Sequence, residues 1–312
     1  MPDVRAVTVA STPLERLAGE ADPPLLHRAD VVEDDALRAR PVPGAPVAAF
    51  AGFLDGAQES QVLAWVGAAP IVFGTVAAVV RERVNRRLVT SEPPLIRRRI
   101  YAPLAYAPAD ALLEAFPGPA LVDTARPDAD GALPPRHPML LQERAKFAVS
   151  RDREALELAL AERWCESRGE PLMIDGSIGG SERVSRAPCA VGVVKSHRTM
   201  YVDDAALEVV LALRRGERSS VFRISRERGT VDSWYLRLRS PDGRDALFGL
   251  VRVEVAAHDG DPGVRADEVS RWVLAESVPL AVPDPRWDRM AYGIRSCEEF
   301  LRAVAIQRAG VG

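Results

Sequence analysis

Two carboxylates stand out by their surroundings. Asp55 closes the apolar run in VAAFAGFLDG, Asp175 closes the one in PLMIDGSIGG, and a glycine follows each. A hard divalent cation such as manganese or magnesium needs several oxygen ligands on a rigid backbone. Strand ends provide that rigidity, and two such ions can clamp an in-line phosphoryl displacement. If the two strands are neighbours, Asp55 and Asp175 meet at one sheet edge. Glu154 and Glu157, one turn apart on a helix between them in sequence, can lean over the same edge. Glu298 and Glu299 near the C-terminus can close the set. Against this, Asp-Gly is a common turn dipeptide, and glutamates on a charged helix are commonly solvated.

Cations gather in two places. Between Arg81 and Tyr101 lie seven arginines, among them Arg97, Arg98 and Arg99, against only Glu82 and Glu92. Such a segment gives a mildly acidic chain a local polyanion site, or simply a solvated basic face. The stretch GVVKSHRTMY sets Lys195, His197 and Arg198 just past an apolar strand. Phosphate contacts of this kind position a nucleic acid without reading its sequence; an exposed, charged hairpin end has the same composition. Tyr201, Trp234 and Tyr235 are candidates for stacking on unpaired bases or for ordinary core aromatics.

Other chemistries lack their residues. The sequence has no GxxxxGK[ST], no GxGxxG after a strand, no HExxH and no GxSxG, which argues against P-loop, dinucleotide, zinc-protease and serine-hydrolase sites. No paired Cys/His ligands occur. The histidines at 27, 137, 197 and 258 are far apart.

The elements that must position these groups follow from patterning. With 312 residues, a formal charge of -3 and 27% charged residues, the composition suits a soluble globular protein of one large or two smaller domains. No apolar run approaches the ~20 residues of a membrane helix, and the first residues lack the basic and apolar regions of a secretory signal. Cys165, Cys189 and Cys297 form no pair motif, as expected of a reducing cytoplasm. Residues 1–46 are Pro-rich and weakly periodic and read as an N-terminal arm; 47–312 read as one domain. Val47 to Leu54, Gln61 to Val66 and Ile71 to Val80 predict three strands of a meander. Gln142 to Cys165, free of Gly and Pro, predicts one or two helices. A short strand LMID, a strand or hairpin from Cys189, a helix at AALEVVLALRRG, three further strands and two closing helices complete an α/β domain around one mixed sheet.

In that order, FLDGAQESQVLAWV, REALELALAERW followed by LMIDGSIGG, VGVVKSH, WYLRLR with VRVEV, and WDRMAYGIRSCEEFLRA resemble the NurA nuclease family over about residues 47 to 305. The resemblance implies an RNase H-like mixed sheet flanked by helices, a manganese-dependent nuclease site (magnesium being the alternative ion) and DNA as substrate. It also implies a homodimer that docks on a hexameric HerA-like ATPase, in DNA end processing or defence against phage. By position, Asp55 and Asp175 match the family's aspartates, Glu157 or Glu154 its helix glutamate, Tyr292 its late tyrosine and Lys195 a basic position with a phosphate contact. The chain departs from the family at the end: Gly293 stands in a proline place, and RSCEEF offers Glu298 or Glu299 where a histidine is common. A catalytically weak DNA-binding or translocase-binding scaffold is therefore the competing expectation.

Overall fold

Residues 5–6, 24–127, 130–242, 244–277 and 292–306 are described in a computed structural model of the chain. Two long strands dominate, β1 (Gly52–Val66) and β2 (Ala69–Val84), paired antiparallel along almost their whole length. Gly67, at φ +60°, makes the tight turn between them. The sequence predicts three shorter strands here. The first two are one strand, because the polar stretch DGAQES keeps its pairing with β2 from Asp55↔Val79 to Ser60↔Gly74. Asp55 therefore lies within a strand, not at its end.

β3 (Leu95–Ala102) pairs antiparallel with β2, and β4 (Leu172–Asp175) pairs parallel with β1 on its other side. β5 (Ala190–Val194) continues in parallel with β4. β6 (Phe222–Arg226), β7 (Gly229–Arg237) and β8 (Leu250–Ala256) form an antiparallel group joined to β5 through β8. The sheet order is β6-β7-β8-β5-β4-β1-β2-β3, with Asp30–Val31 beyond β6 and Ala120–Asp123 beyond β3. This is the mixed α/β sheet flanked by helices that the patterning predicts.

One face is covered by α2 (Pro138–Ser167), which follows the short helix α1 (Ala109–Ala115). Proline is accepted at its first position because the N–H there has no intrahelical partner. Gly169, at φ +68°, lies just past its end. The buried stripe of α2 (Ala145, Val149, Leu156, Leu160, Trp164) packs with Leu54, Val72, Val76 and Ile174 of the sheet. The helix α3 (Asp204–Leu211) adds Val210 to the same core. On the opposite face α4 (Pro262–Glu276) and α5 (Tyr292–Leu301) pack Val269, Val273, Ile294 and Cys297 against Phe53, Met173 and Val193. Among the described residues no helix is long and apolar enough to cross a membrane.

The expected arm differs. Residues 7–23 lie outside the described residues, but 24–46 are built into the fold. Leu25–His27 pairs with Thr199–Tyr201, Asp30–Val31 with β6, and Ala39–Pro41 with Glu217–Ser219. Glu33 accepts two hydrogen bonds from the fully buried Arg218, which also donates to Asp267. These partners are some 180 residues away in sequence, so nothing in the local pattern reveals them.

Candidate active site

The last rung of the parallel ladder between β1 and β4 joins Leu54 to Ile174. Asp55 follows the one and Asp175 the other, so the two aspartates stand side by side where β4 stops. Side chains alternate along a strand: Leu54 and Ile174 enter the α2 core, while Phe53 and Met173 enter the α5 core. Asp55 and Asp175 accordingly share the α5 face. β4 ends at Gly176, whose φ of +133° suits glycine; β1 runs on.

Asp55 is buried, 5% exposed, and accepts a hydrogen bond from the Gly56 N–H. Burial pushes its pKa well above the carboxylate range, and the charge of Asp175 adds to the shift while Lys195 opposes it. Lys195, just past β5, donates from Nζ to Asp175 Oδ2 at 2.8 Å.

Glu157 arrives from α2 on the other side of β1. A methyl group at Gly56 would collide with its carboxylate, so this glycine is a notch in the strand and not a turn residue. Burial raises the Glu157 pKa to about 7 despite an ion pair with Arg153, one helical turn away; Asp175 adds to the rise. Arg153 also donates to Gln58 of β1. Of the two glutamates left open by the sequence, the structure brings Glu157 to the aspartates. Glu154 keeps 57% of its side chain exposed and lies 3.6 Å from Arg153.

The remaining candidates have other partners. Glu298 pairs with Arg302 and Glu299 with Arg295, on the helix whose Cys297 donates to the Phe53 carbonyl beside Asp55. Tyr292 opens α5, and its side chain lies outside the described residues. The arginines of β3 do not form one patch, since strand alternation sends Arg98 to one face and Arg97 and Arg99 to the other. Arg99 is held by Asp152, which also accepts from Tyr101. Arg98 pairs with Thr75, which pairs with Glu59; that puts it about 13 Å along and about 10 Å across from Asp55. His197 gives a ring nitrogen to the Leu250 carbonyl at 2.9 Å, and burial lowers its pKa. Trp234 and Tyr235 are fully buried and unavailable for stacking on bases: Trp234 donates to Ser270, and Tyr235 accepts the Tyr201 N–H. Arg198 is exposed beside His197.

Pattern reading missed Glu254. Fully buried on β8, it accepts from the Ser177 hydroxyl at 2.6 Å and the Ile178 N–H at 3.1 Å, and it pairs with Arg252 at 3.1 Å. It thereby pins the loop that follows Asp175. Arg226 donates to the same Ser177 hydroxyl. The signal was there in VRVEV: two opposite charges on one face of a strand whose neighbours are all apolar.

The arrangement is thus three oxygen-donor side chains with two cations, Lys195 and Arg153, drawn onto two of them. Among the described residues no group of three or more His, Cys, Asp and Glu side chains is gathered tightly enough to hold a metal ion. In comparisons with known proteins, no family model and no curated relative matches the chain.

Proposed function

We propose that the chain is a metal-dependent nuclease with an RNase H-like core. The observation that carries this reading is the pairing of Asp55 and Asp175 at the end of one parallel ladder, with Glu157 entering through the Gly56 notch. The antiparallel β1-β2-β3 start, the long α2 and the parallel pair β4-β5 support the RNase H-like assignment. The donor set fits manganese or magnesium, being all hard oxygen. Asp55 in particular is a carboxylate whose charge is disfavoured first by burial and then by Asp175, so a cation beside it would be favourable. Asp55, Asp175 and Glu157 would have to draw closer together to hold the ion, since no ready-made cluster of three stands among the described residues. When bound, a divalent cation stabilises charge on the phosphoryl oxygens and lowers the pKa of a bound water.

The chain's own groups do the rest. Lys195 Nζ, released from Asp175, donates to a non-bridging phosphate oxygen. Arg153 holds Glu157 in place from the next turn of α2. Phe53, Ile294 and Cys297 pack tightly under the aspartates and keep water from that side. The exposed Arg98 and Arg198 attract the flanking phosphates of DNA, largely without regard to sequence. A second copy of this chain and a hexameric HerA-like ATPase are the partners we propose, on the strength of the NurA resemblance.

One observation favours a second reading, a catalytically silent DNA-binding scaffold: Lys195 and Arg153 already neutralise two of the three carboxylates. Manganese titration followed by electron paramagnetic resonance, with a cleavage assay on linear DNA, separates the two. A nuclease binds the ion and cuts, and Asp55→Asn loses both; a scaffold does neither and still retains DNA.

A further inference from the structure

The three cysteines are spread along the sequence, but two of them meet. Cys165 lies in the last turn of α2 and Cys189 just ahead of β5. Several contacts fold that helix end onto the starts of β4 and β5. Trp164 Nε1 donates to the Glu170 carbonyl at 2.8 Å, and the Leu172 N–H of β4 donates to the Cys189 carbonyl at 2.9 Å. Cys165 and Ala187 pack on the same core as Trp164, Leu172 and Ala190. Here the Cys165 thiol donates a hydrogen bond to the Cys189 sulfur. That bond lowers the Cys189 pKa to about 7, against the opposing effect of burial. The same bond, then burial and the charges of Cys189, Glu162 and Glu166, raise the pKa of Cys165. One sulfur is thus set to be a thiolate and its neighbour to stay a thiol. Neither belongs to the carboxylate site. Cys297, the third cysteine, is fully buried on the other face of the sheet, where it donates to the Phe53 carbonyl.

We propose that Cys165 and Cys189 form an oxidation site, at which hydrogen peroxide converts the two thiols reversibly into an intramolecular disulfide. The Cys189 thiolate attacks one peroxide oxygen. An S–O bond forms, the O–O bond breaks, and the departing hydroxide recovers from solvent the proton that Cys189 released, giving a first water. Cys189 is now a sulfenic acid, oxidised by two electrons. The Cys165 sulfur then attacks the Cys189 sulfur. An S–S bond forms, the S–O bond breaks, and the leaving hydroxide takes the Cys165 proton, giving a second water. Two thiols and one peroxide thus yield one disulfide and two waters. A low-pKa cysteine beside a resolving thiol is the arrangement this chemistry needs. The oxidant must be small, because Cys189 is only 8% exposed. The bridge closes residues 165 to 189 into a ring that contains β4 and Asp175. It fastens α2, the helix of Glu157, to β5, the strand that leads to Lys195.

The test reads thiols and not cleavage, so its outcome is independent of the nuclease reading. The full chain is reduced, desalted and exposed to a small molar excess of hydrogen peroxide, and its peptides, prepared without reductant, are mapped by mass spectrometry. The peptides of Cys165 and Cys189 should appear joined, two hydrogens lighter than their sum, in a chain that stays monomeric on a denaturing gel, with Cys297 still a thiol. Dithiothreitol should restore both thiols. Cys165→Ser keeps a hydroxyl beside Cys189 and removes the resolving sulfur. It should stop at the sulfenic acid, trapped by dimedone on Cys189 in a yield well above that of the wild type. Cys189→Ser should slow the oxidation of Cys165 about tenfold or more, since the reactive thiolate is gone. Melting curves check that each variant is folded; should one fail to fold, the wild-type peptide map carries the test. Cys165 and Cys189 left as free thiols, a bridge between chains, or a bridge to Cys297 overturns the proposal. So do equal dimedone yields in the wild type and Cys165→Ser, or an unchanged rate in Cys189→Ser.

Discussion

The carboxylate of Glu157 occupies the space in which a side chain at Gly56 would stand. The two residues come from different elements, and a methyl group at Gly56 would oblige the carboxylate of Glu157 to swing aside. Replacing Gly by Ala within a strand ordinarily gains about 0.5–1 kcal/mol. Here Gly56→Ala should instead cost about 1–3 kcal/mol, the usual penalty of overpacking, read as a lower urea midpoint. Combining it with Glu157→Ala should recover most of the loss, since the effects of touching residues do not add. A neutral or stabilising Gly56→Ala would show that Glu157 does not rest on β1.

Asp55→Asn and Asp175→Asn each remove one of two mutually repelling carboxylates. Manganese-dependent cleavage should fall by about two orders of magnitude or more. The melting temperature of the metal-free protein should hold or rise, because Asp55 no longer carries the penalty of burial beside Asp175. Wild-type cleavage rates in either variant would remove these residues from the chemistry.

Glu157 gives the site a pH signature. Between the ordinary carboxylate pKa, about 4.3, and its folded value of about 7, the folded protein keeps a proton that the unfolded chain has lost. Its contribution to stability is therefore largest in acid and declines as pH rises through that window, by something on the order of 3 kcal/mol. Asp55, shifted in the same direction, adds to the decline. Melting temperatures of metal-free wild type and Glu157→Gln across pH 4.5 to 8, a range set by these values, should diverge, the variant having the flatter curve. Identical slopes would mean that Glu157 is ionised throughout.

Glu33 bears on the standing of residues 24–46. Arg218 is 1% exposed and shares its charge between Glu33 and Asp267. Removing Glu33 leaves a buried guanidinium short of a partner, so Glu33→Ala should cost about 3 kcal/mol by chemical denaturation. A loss within a few tenths of a kcal/mol would restore the picture of a detachable arm.

Local patterning carried much of the architecture. The Gly- and Pro-free run from Gln142 reads as helix because nothing in it interrupts one, and it is α2. The site at Asp55 and Asp175 required their strands to be neighbours, and β1 and β4 are neighbours. What was hidden depended on pairing. Asp55-Gly56 resembles a turn until β2 holds the following residues in register. The Arg97–Arg99 cluster looks like one basic patch until strand geometry sends its members to opposite faces. Choosing Glu157 over Glu154 needs the rotation of α2 against β1, which depends on where Trp164 and Leu156 bury. Glu254 and the partners of residues 24–46 are contacts across most of the chain.

The long β1 encodes the site as parity. Odd positions, Phe53 and Asp55, belong to the α5 layer, and even positions, Leu54 and Gly56, to the α2 layer. A substitution perturbs one of these layers; losing a single residue between Gly52 and Asp55 would exchange them. The carboxylate would then be driven into the α2 core and the notch turned away from Glu157, with Asp55, Gly56 and Glu157 all still present in the chain. Frame in this strand is thus a stricter constraint than composition: length changes in the Gly67 turn leave it untouched, whereas an odd insertion or deletion ahead of Asp55 leaves no point mutation able to repair it.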